Sequence, residues 1–110
     1  MEAVMQLGMV ICSNDPETVF NAFRLGAFSL GKGDVVKAFL LAKGVESETL
    51  NDDKFKVSEQ MQTFVDAGGE MFACGTCLKI RKYGSSDMCP MSTLDDLYKI
   101  ITQSDKVLTF

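Results

Sequence analysis

Phe72-Ala73-Cys74-Gly75-Thr76-Cys77-Leu78-Lys79-Ile80-Arg81-Lys82 decides the reading of this chain: two cysteines separated by two residues, apolar residues before them, basic residues after. The run Glu70-Met71-Phe72-Ala73 is short, apolar and preceded by Gly68-Gly69, which marks a strand. The residues after Cys74 suit a helix, so Cys74 falls at a strand-to-helix junction. The first turn of a helix aims unpaired backbone N–H groups at whatever sits there, which favours a thiolate over a thiol. At about 100° per residue, Cys74, Cys77 and Arg81 lie within roughly 60° of one another, so Arg81 can face the sulfurs.

Working outward in both directions, strands alternate with helices. Val4 to Cys12 is nearly all apolar, as a central strand covered on both faces must be. Asp15, Pro16 and Glu17 start a helix as N-cap, first residue and first-turn acid. Val19, Phe20, Phe23, Ala27 and Leu30 give it an apolar face, and Gly31-Lys32-Gly33 ends it. Asp34 to Leu41 reads as a second buried strand, and Ser47 to Lys54 as a polar loop, a candidate lid or subunit contact. Val57, Met61, Phe64 and Val65 stripe a second helix closed by Gly68-Gly69.

Beyond the cysteine helix, Tyr83 to Asp87 is a turn and Met88 to Met91 a short strand or apolar loop. A further helix opens with Ser92 as cap and Asp95 at its third position, burying Leu94, Leu97, Tyr98 and Ile101. Lys106 to Phe110 is a last strand. The pattern predicts an α/β fold, three layers (α/β/α) around a mainly parallel sheet of four to five strands, in one domain over 1–110. In such sheets chemistry gathers beyond the carboxyl ends of the strands. Cys12 ends the first strand and Cys74 the third, so both belong to that edge.

Composition narrows the chemistry. A net charge of −4 argues against a nucleic-acid binder, and the basic run Lys79 to Lys82 is too short to reverse that. The start, Met1-Glu2-Ala3-Val4, lacks a basic region and the apolar run after it ends by Cys12, too soon for a secretory signal or a membrane span. Cytoplasmic residence is therefore the expectation. There, four cysteines are catalytic, metal-binding or buried rather than a disulfide framework. Histidine is absent, which removes Cys-His and Ser-His pairs and histidine metal sites. Gly31-Lys32-Gly33 lacks the spacing of a phosphate loop, and the loop after the first strand has no glycine cluster for a flavin phosphate; no cofactor is expected.

Three readings of the CxxC pair stand side by side. A zinc site has four sulfurs available, but at C-x61-C-x2-C-x11-C rather than in two CxxC knuckles, and no metal is expected. A thioredoxin-like dithiol meets the objection that its CxxC follows an early strand, not the third. Two buried structural cysteines are the third reading, and Cys12 and Cys89, each alone in its segment, fit packing best.

The chain resembles the DsrE/DsrF-like family, which includes the TusD and DsrE subunits of sulfur-relay complexes. The resemblance is carried by the helix Glu17 to Leu30, by the strand from Gly33 to Leu41 with its Lys43-Gly44-Val45 ending, and by Phe72-Ala73-Cys74 followed by Leu78-Lys79-Ile80-Arg81. The terminal Ser104-Asp105-Lys106-Val107-Leu108-Thr109-Phe110 completes it. It implies a sulfurtransferase or sulfur carrier in which Cys74 accepts sulfane sulfur as a persulfide and passes it to a small carrier protein. It also implies subunits that assemble as homotrimers or hexamers, for which Met88 to Met91 and Phe110 are candidate contacts. Cys77 has no counterpart in TusD-like subunits, and a second thiol there opens a route from persulfide to disulfide. Arg81 is expected to steady the anionic sulfur, with Cys12 nearby.

Overall fold

The structure, a computed structural model, describes residues 4–110, so the reading of the chain start at Met1 to Ala3 lies outside the described residues. Its elements are β1 (Gln6–Ile11), α1 (Pro16–Gly31), β2 (Val35–Leu40), a 3-10 helix (Ala42–Thr49), α2 (Val57–Asp66), β3 (Glu70–Cys74), α3 (Gly75–Ile80), β4 (Met91–Ser92), α4 (Leu94–Gln103) and β5 (Lys106–Thr109). All five strands are parallel, in the order β4-β3-β2-β1-β5. Among the described residues no helix is long and apolar enough to cross a membrane.

Alternation along β1 sets the layers. Leu7, Met9 and Ile11 point into the core shared with α1 and α2, whereas Val10 joins Phe39, Leu97 and Ile100 on the other face. Gly8 also faces α4, and a Cβ there would lie 2.9 Å from Ile100 Cγ2 and 2.7 Å from Ser104 Oγ. The helices thus cover both faces of the sheet, as expected of an α/β/α sandwich. On the α1 side Phe64 of α2 fills the space left by two glycines, Gly26 and Gly69, and meets Phe23 edge-on with centroids 5.3 Å apart.

Local chemistry explains where elements begin. Asp15 caps α1, its Oδ2 accepting the Thr18 N–H at 2.9 Å. The buried stripe of α1 is Val19, Ala22, Phe23, Gly26 and Ser29, so small residues rather than Ala27 let the helix approach the sheet. Gly33 and Gly68 leave α1 and α2 at φ 94° and 105°, a region open to glycine.

Three expectations are corrected. Ser47 to Thr49 is not open loop: it belongs to the 3-10 helix, and buried Ser47 donates from Oγ to the Gly44 carbonyl at 2.6 Å. The cap of α4 is Thr93, not Ser92, with Asp96 rather than Asp95 completing a reciprocal capping box. Ser92 lies instead in β4, its Oγ accepting the Ala73 N–H at 3.3 Å and donating to the Pro90 carbonyl at 3.0 Å. The face of α4 is also rotated. Ile100 and Ile101 are both apolar, so two stripes were available, and the sheet takes Leu97 and Ile100 because Gly8 makes room for Ile100. Leu94, Tyr98 and Ile101 stay in solvent at 73%, 64% and 47% exposure.

Candidate functional site

The register of the sheet brings the ends of four strands into one row. Ile11 pairs with Leu40 and Leu40 with Ala73, so one residue further on Cys12, Leu41 and Cys74 stand side by side at the carboxyl edge, with Ser92 paired to Cys74. Cys12 and Cys74 share that edge as expected. With one strand between them they are roughly 10 Å apart, too far for their sulfurs to meet directly.

Cys74 is both the last residue of β3 and the N-cap of α3, so its side chain leaves the sheet where the chain turns into the helix. The turn is tight: a Cβ on Gly75 would lie 2.9 Å from Met91 Cγ and 3.1 Å from the Ser92 carbonyl oxygen, so a larger residue there would push on β4. Cys74 Sγ accepts the Cys77 N–H at 3.5 Å, taking the place that a serine or aspartate oxygen fills at an ordinary helix start. Cys74 lines a cleft of about 650 Å³ between α3 and the β4–α4 connection, together with Cys77, Thr76, Lys79, Met91 and Leu94 among others.

Cys77 lies three residues on, in the first turn of α3, and is half-buried like Cys74. Its Sγ accepts the Ala42 N–H at 3.3 Å, and Ala42 itself has a left-handed φ of 53°. Burial, then the neighbouring Cys74 sulfur, pushes the Cys77 thiol up from its ordinary range, against a smaller downward pull from the Ala42 N–H. At neutral pH Cys77 therefore keeps its proton.

Arg81 makes no hydrogen bond to either sulfur, though its charge adds a small downward pull on the Cys77 thiol. Its Nε donates to Glu46 Oε2 at 2.7 Å and its Nη1 to the Cys77 carbonyl at 3.2 Å, while Glu46 Oε1 accepts from Asn14 Nδ2 at 3.2 Å. The Arg81 hydrogen bond, then that of Asn14, holds the Glu46 carboxyl below its usual range. This chain of contacts ties the β1–α1 loop, the 3-10 helix and α3 together behind the cysteines, which makes Arg81 a positioning residue.

Cys89 is buried and packs in the α1-side core; burial first, and then the negative charge of Glu48, push its thiol up to about 12. All four cysteines are unpaired, and among the described residues no three Cys, Asp or Glu side chains gather as metal ligands would. What the sequence did not reveal is the support: Ala42, Glu46, Asn14 and Ser92. None of these four carried a signal; only the adjoining Lys43-Gly44-Val45 stretch stood out, as part of the resemblance. A cysteine that lines a cleft, its sulfur hydrogen-bonded by a backbone amide and a second thiol close by, can act as a nucleophile and hold a second sulfur atom.

Comparison with known proteins agrees with this fold. The chain is 30% identical over 110 residues to the uncharacterized protein MK0008 of Methanopyrus kandleri, an alignment covering 92% of this chain and 91% of that one. It is 28% identical over 100 residues to the uncharacterized protein MJ0989 of Methanocaldococcus jannaschii, covering 86% and 88%. Its fold matches the crystal structure of the YchN protein from E. coli with a TM-score of 0.85 at 20% identity, over 97% of this chain and all of the other. The profile of the DsrE/DsrF-like family matches residues 5–110, and with the five-stranded parallel sheet in place the chain is a member of the DsrE/DsrF-like family.

Proposed function

We propose that this protein accepts sulfane sulfur as a persulfide on Cys74 and passes it to a partner protein, as a sulfurtransferase or sulfur carrier of a cytoplasmic sulfur relay. The observation that carries the reading is the placement of Cys74 at the carboxyl end of β3, its sulfur hydrogen-bonded by the Cys77 amide and the residue itself lining an open cleft. A nucleophilic sulfur attacks the outer sulfur of a donor persulfide, takes it over and releases the donor thiol; an acceptor thiolate then repeats the exchange in the other direction. Met91 and Leu94 give the cleft an apolar wall and Lys79 a cation, which suits a chain segment of a small carrier protein.

The test is intact-protein mass after exposure to glutathione persulfide. Wild type is expected to gain about 32 Da per added sulfur and Cys74→Ser none, while Cys12→Ser and Cys89→Ser behave as wild type. Uptake that survives Cys74→Ser sinks the proposal.

Self-assembly belongs to the same reading. Leu94, Tyr98 and Ile101 form an exposed stripe on α4, continuous through Met91 with the rim of the cysteine cleft. A contiguous apolar surface of this kind marks an interface, and a second copy of the chain is the proposed occupant. Tyr98→Glu is expected to convert the oligomer to monomer in light scattering, and a wild-type protein that is already monomeric at micromolar concentration contradicts the assignment.

A further inference from the structure

We propose that Cys77 is the resolving thiol of this site: a Cys74 persulfide that no partner collects is broken by the Cys77 sulfur, which releases hydrosulfide and closes a Cys74–Cys77 disulfide. The inference rests on Cys74 being the sulfur acceptor, and it adds a second activity, persulfide reduction, to the relay.

Placement singles out Cys77 among the three other cysteines. It is the third residue of the turn that Cys74 caps, and its own amide already touches the Cys74 sulfur at 3.5 Å. Side chains three apart on a helix have Cβ atoms about 5–6 Å from one another, close enough for a small rotation to bring them to disulfide distance. Cys12 stands across an intervening strand, and Cys89 is buried in the core behind the site.

One contact of Cys77 steadies the negative charge that builds on its sulfur as it attacks. The Ala42 N–H, at 3.3 Å from its sulfur, is the only backbone donor the described residues offer it. Ala42 keeps its left-handed φ because the adjoining backbone is tied down, Leu41 N–H to the Ile11 carbonyl at 2.9 Å and Gly44 N–H to the Leu41 carbonyl at 2.9 Å. A left-handed alanine is disfavoured by roughly 1–2 kcal/mol, a cost these backbone bonds offset.

The step balances in atoms and electrons. Cys77 loses its proton to water and its sulfur bonds to the inner sulfur, that of Cys74. The bond between the inner and outer sulfurs breaks and its electron pair leaves with the outer atom as hydrosulfide. The sulfane sulfur gains two electrons, and the two cysteine sulfurs together lose two on forming the disulfide. A low-molecular-weight thiol, two molecules per disulfide, supplies the reductant that returns the pair to dithiol.

The experiment loads the full chain briefly with glutathione persulfide, removes the donor by desalting, and follows intact mass and free hydrosulfide in time. Wild type is expected to pass from about 32 Da above the reduced mass to about 2 Da below it, with one hydrosulfide released per chain. Cys77→Ser and Cys77→Ala are expected to hold the added sulfur at least about tenfold longer and release none, with unchanged melting curves. Equal persistence in wild type and both variants, while Cys74→Ser still fails to load, overturns the role of Cys77 and leaves the acceptor intact. If neither wild type nor the Cys77 variants load at all, the acceptor reading fails and the resolving role falls with it.

Discussion

Gly44→Ala is expected to leave little folded protein. A Cβ at position 44 would lie 1.8 Å from the Ile11 carbonyl oxygen, 2.7 Å from its carbon and 3.4 Å from the Cys12 nitrogen. These are backbone atoms of a central strand, hydrogen-bonded on both sides, so they cannot step aside as a side chain would. The 3-10 helix cannot retreat either, because Gly44 donates to Leu41, Ser47 donates to the Gly44 carbonyl, and Glu46 holds Arg81. The cost should exceed about 4 kcal/mol, comparable with the whole stability of many domains of this size. In urea unfolding the midpoint should fall by about 2 M or more, or soluble protein should disappear. An unchanged midpoint would show that the 3-10 helix does not pack on β1 as described.

Phe64→Ala comes second and tests the opposite fault, a hole instead of a clash. Phe64 is fully buried, meets Phe23 at 5.3 Å, and occupies the volume that Gly26 and Gly69 leave vacant. Neither glycine can extend a side chain into the gap, so the site collapses poorly and the penalty should sit near the upper end of the range of about 3–5 kcal/mol for Phe→Ala. That corresponds to a fall in Tm on the order of 15 °C or more. Sulfur loading on Cys74 at low temperature should survive, since α3 and its cleft lie outside this contact. A drop of only a few degrees would mean that α1 and α2 close over the gap.

The parts of this fold that were legible in the sequence share one physical origin: local chemistry with a fixed period or a fixed cap. Asp15-Pro16-Glu17 started α1 where expected, and Cys74 fell on the junction that the apolar run and the following helix marked. What failed to show depended on distant partners. Which stripe of α4 is buried was decided by Gly8, far away in sequence, and the role of Ser92 by its pairing with β3. The helical phase brought Arg81 to the cysteine side, but a carboxylate 35 residues earlier, Glu46, takes its guanidinium. Backbone donors such as Ala42 leave no trace in residue identity, because every residue but proline carries one.

The position of β1 between β2 and β5 carries a consequence for how the chain reaches this structure. Leu7 pairs with Val36 on one side and with Lys106 on the other, so one strand closes both a short and a very long loop. Loop-closure entropy and the slowness of non-local parallel pairing place the β1–β5 ladder late in assembly. During synthesis on the ribosome, β1, α1, β2, α2 and β3 can come together while the far edge of β1 still waits for its neighbour. Until β5 emerges that edge is an unpaired apolar strand, the stage at which a nascent copy is most open to chaperones and to mispairing with another nascent copy.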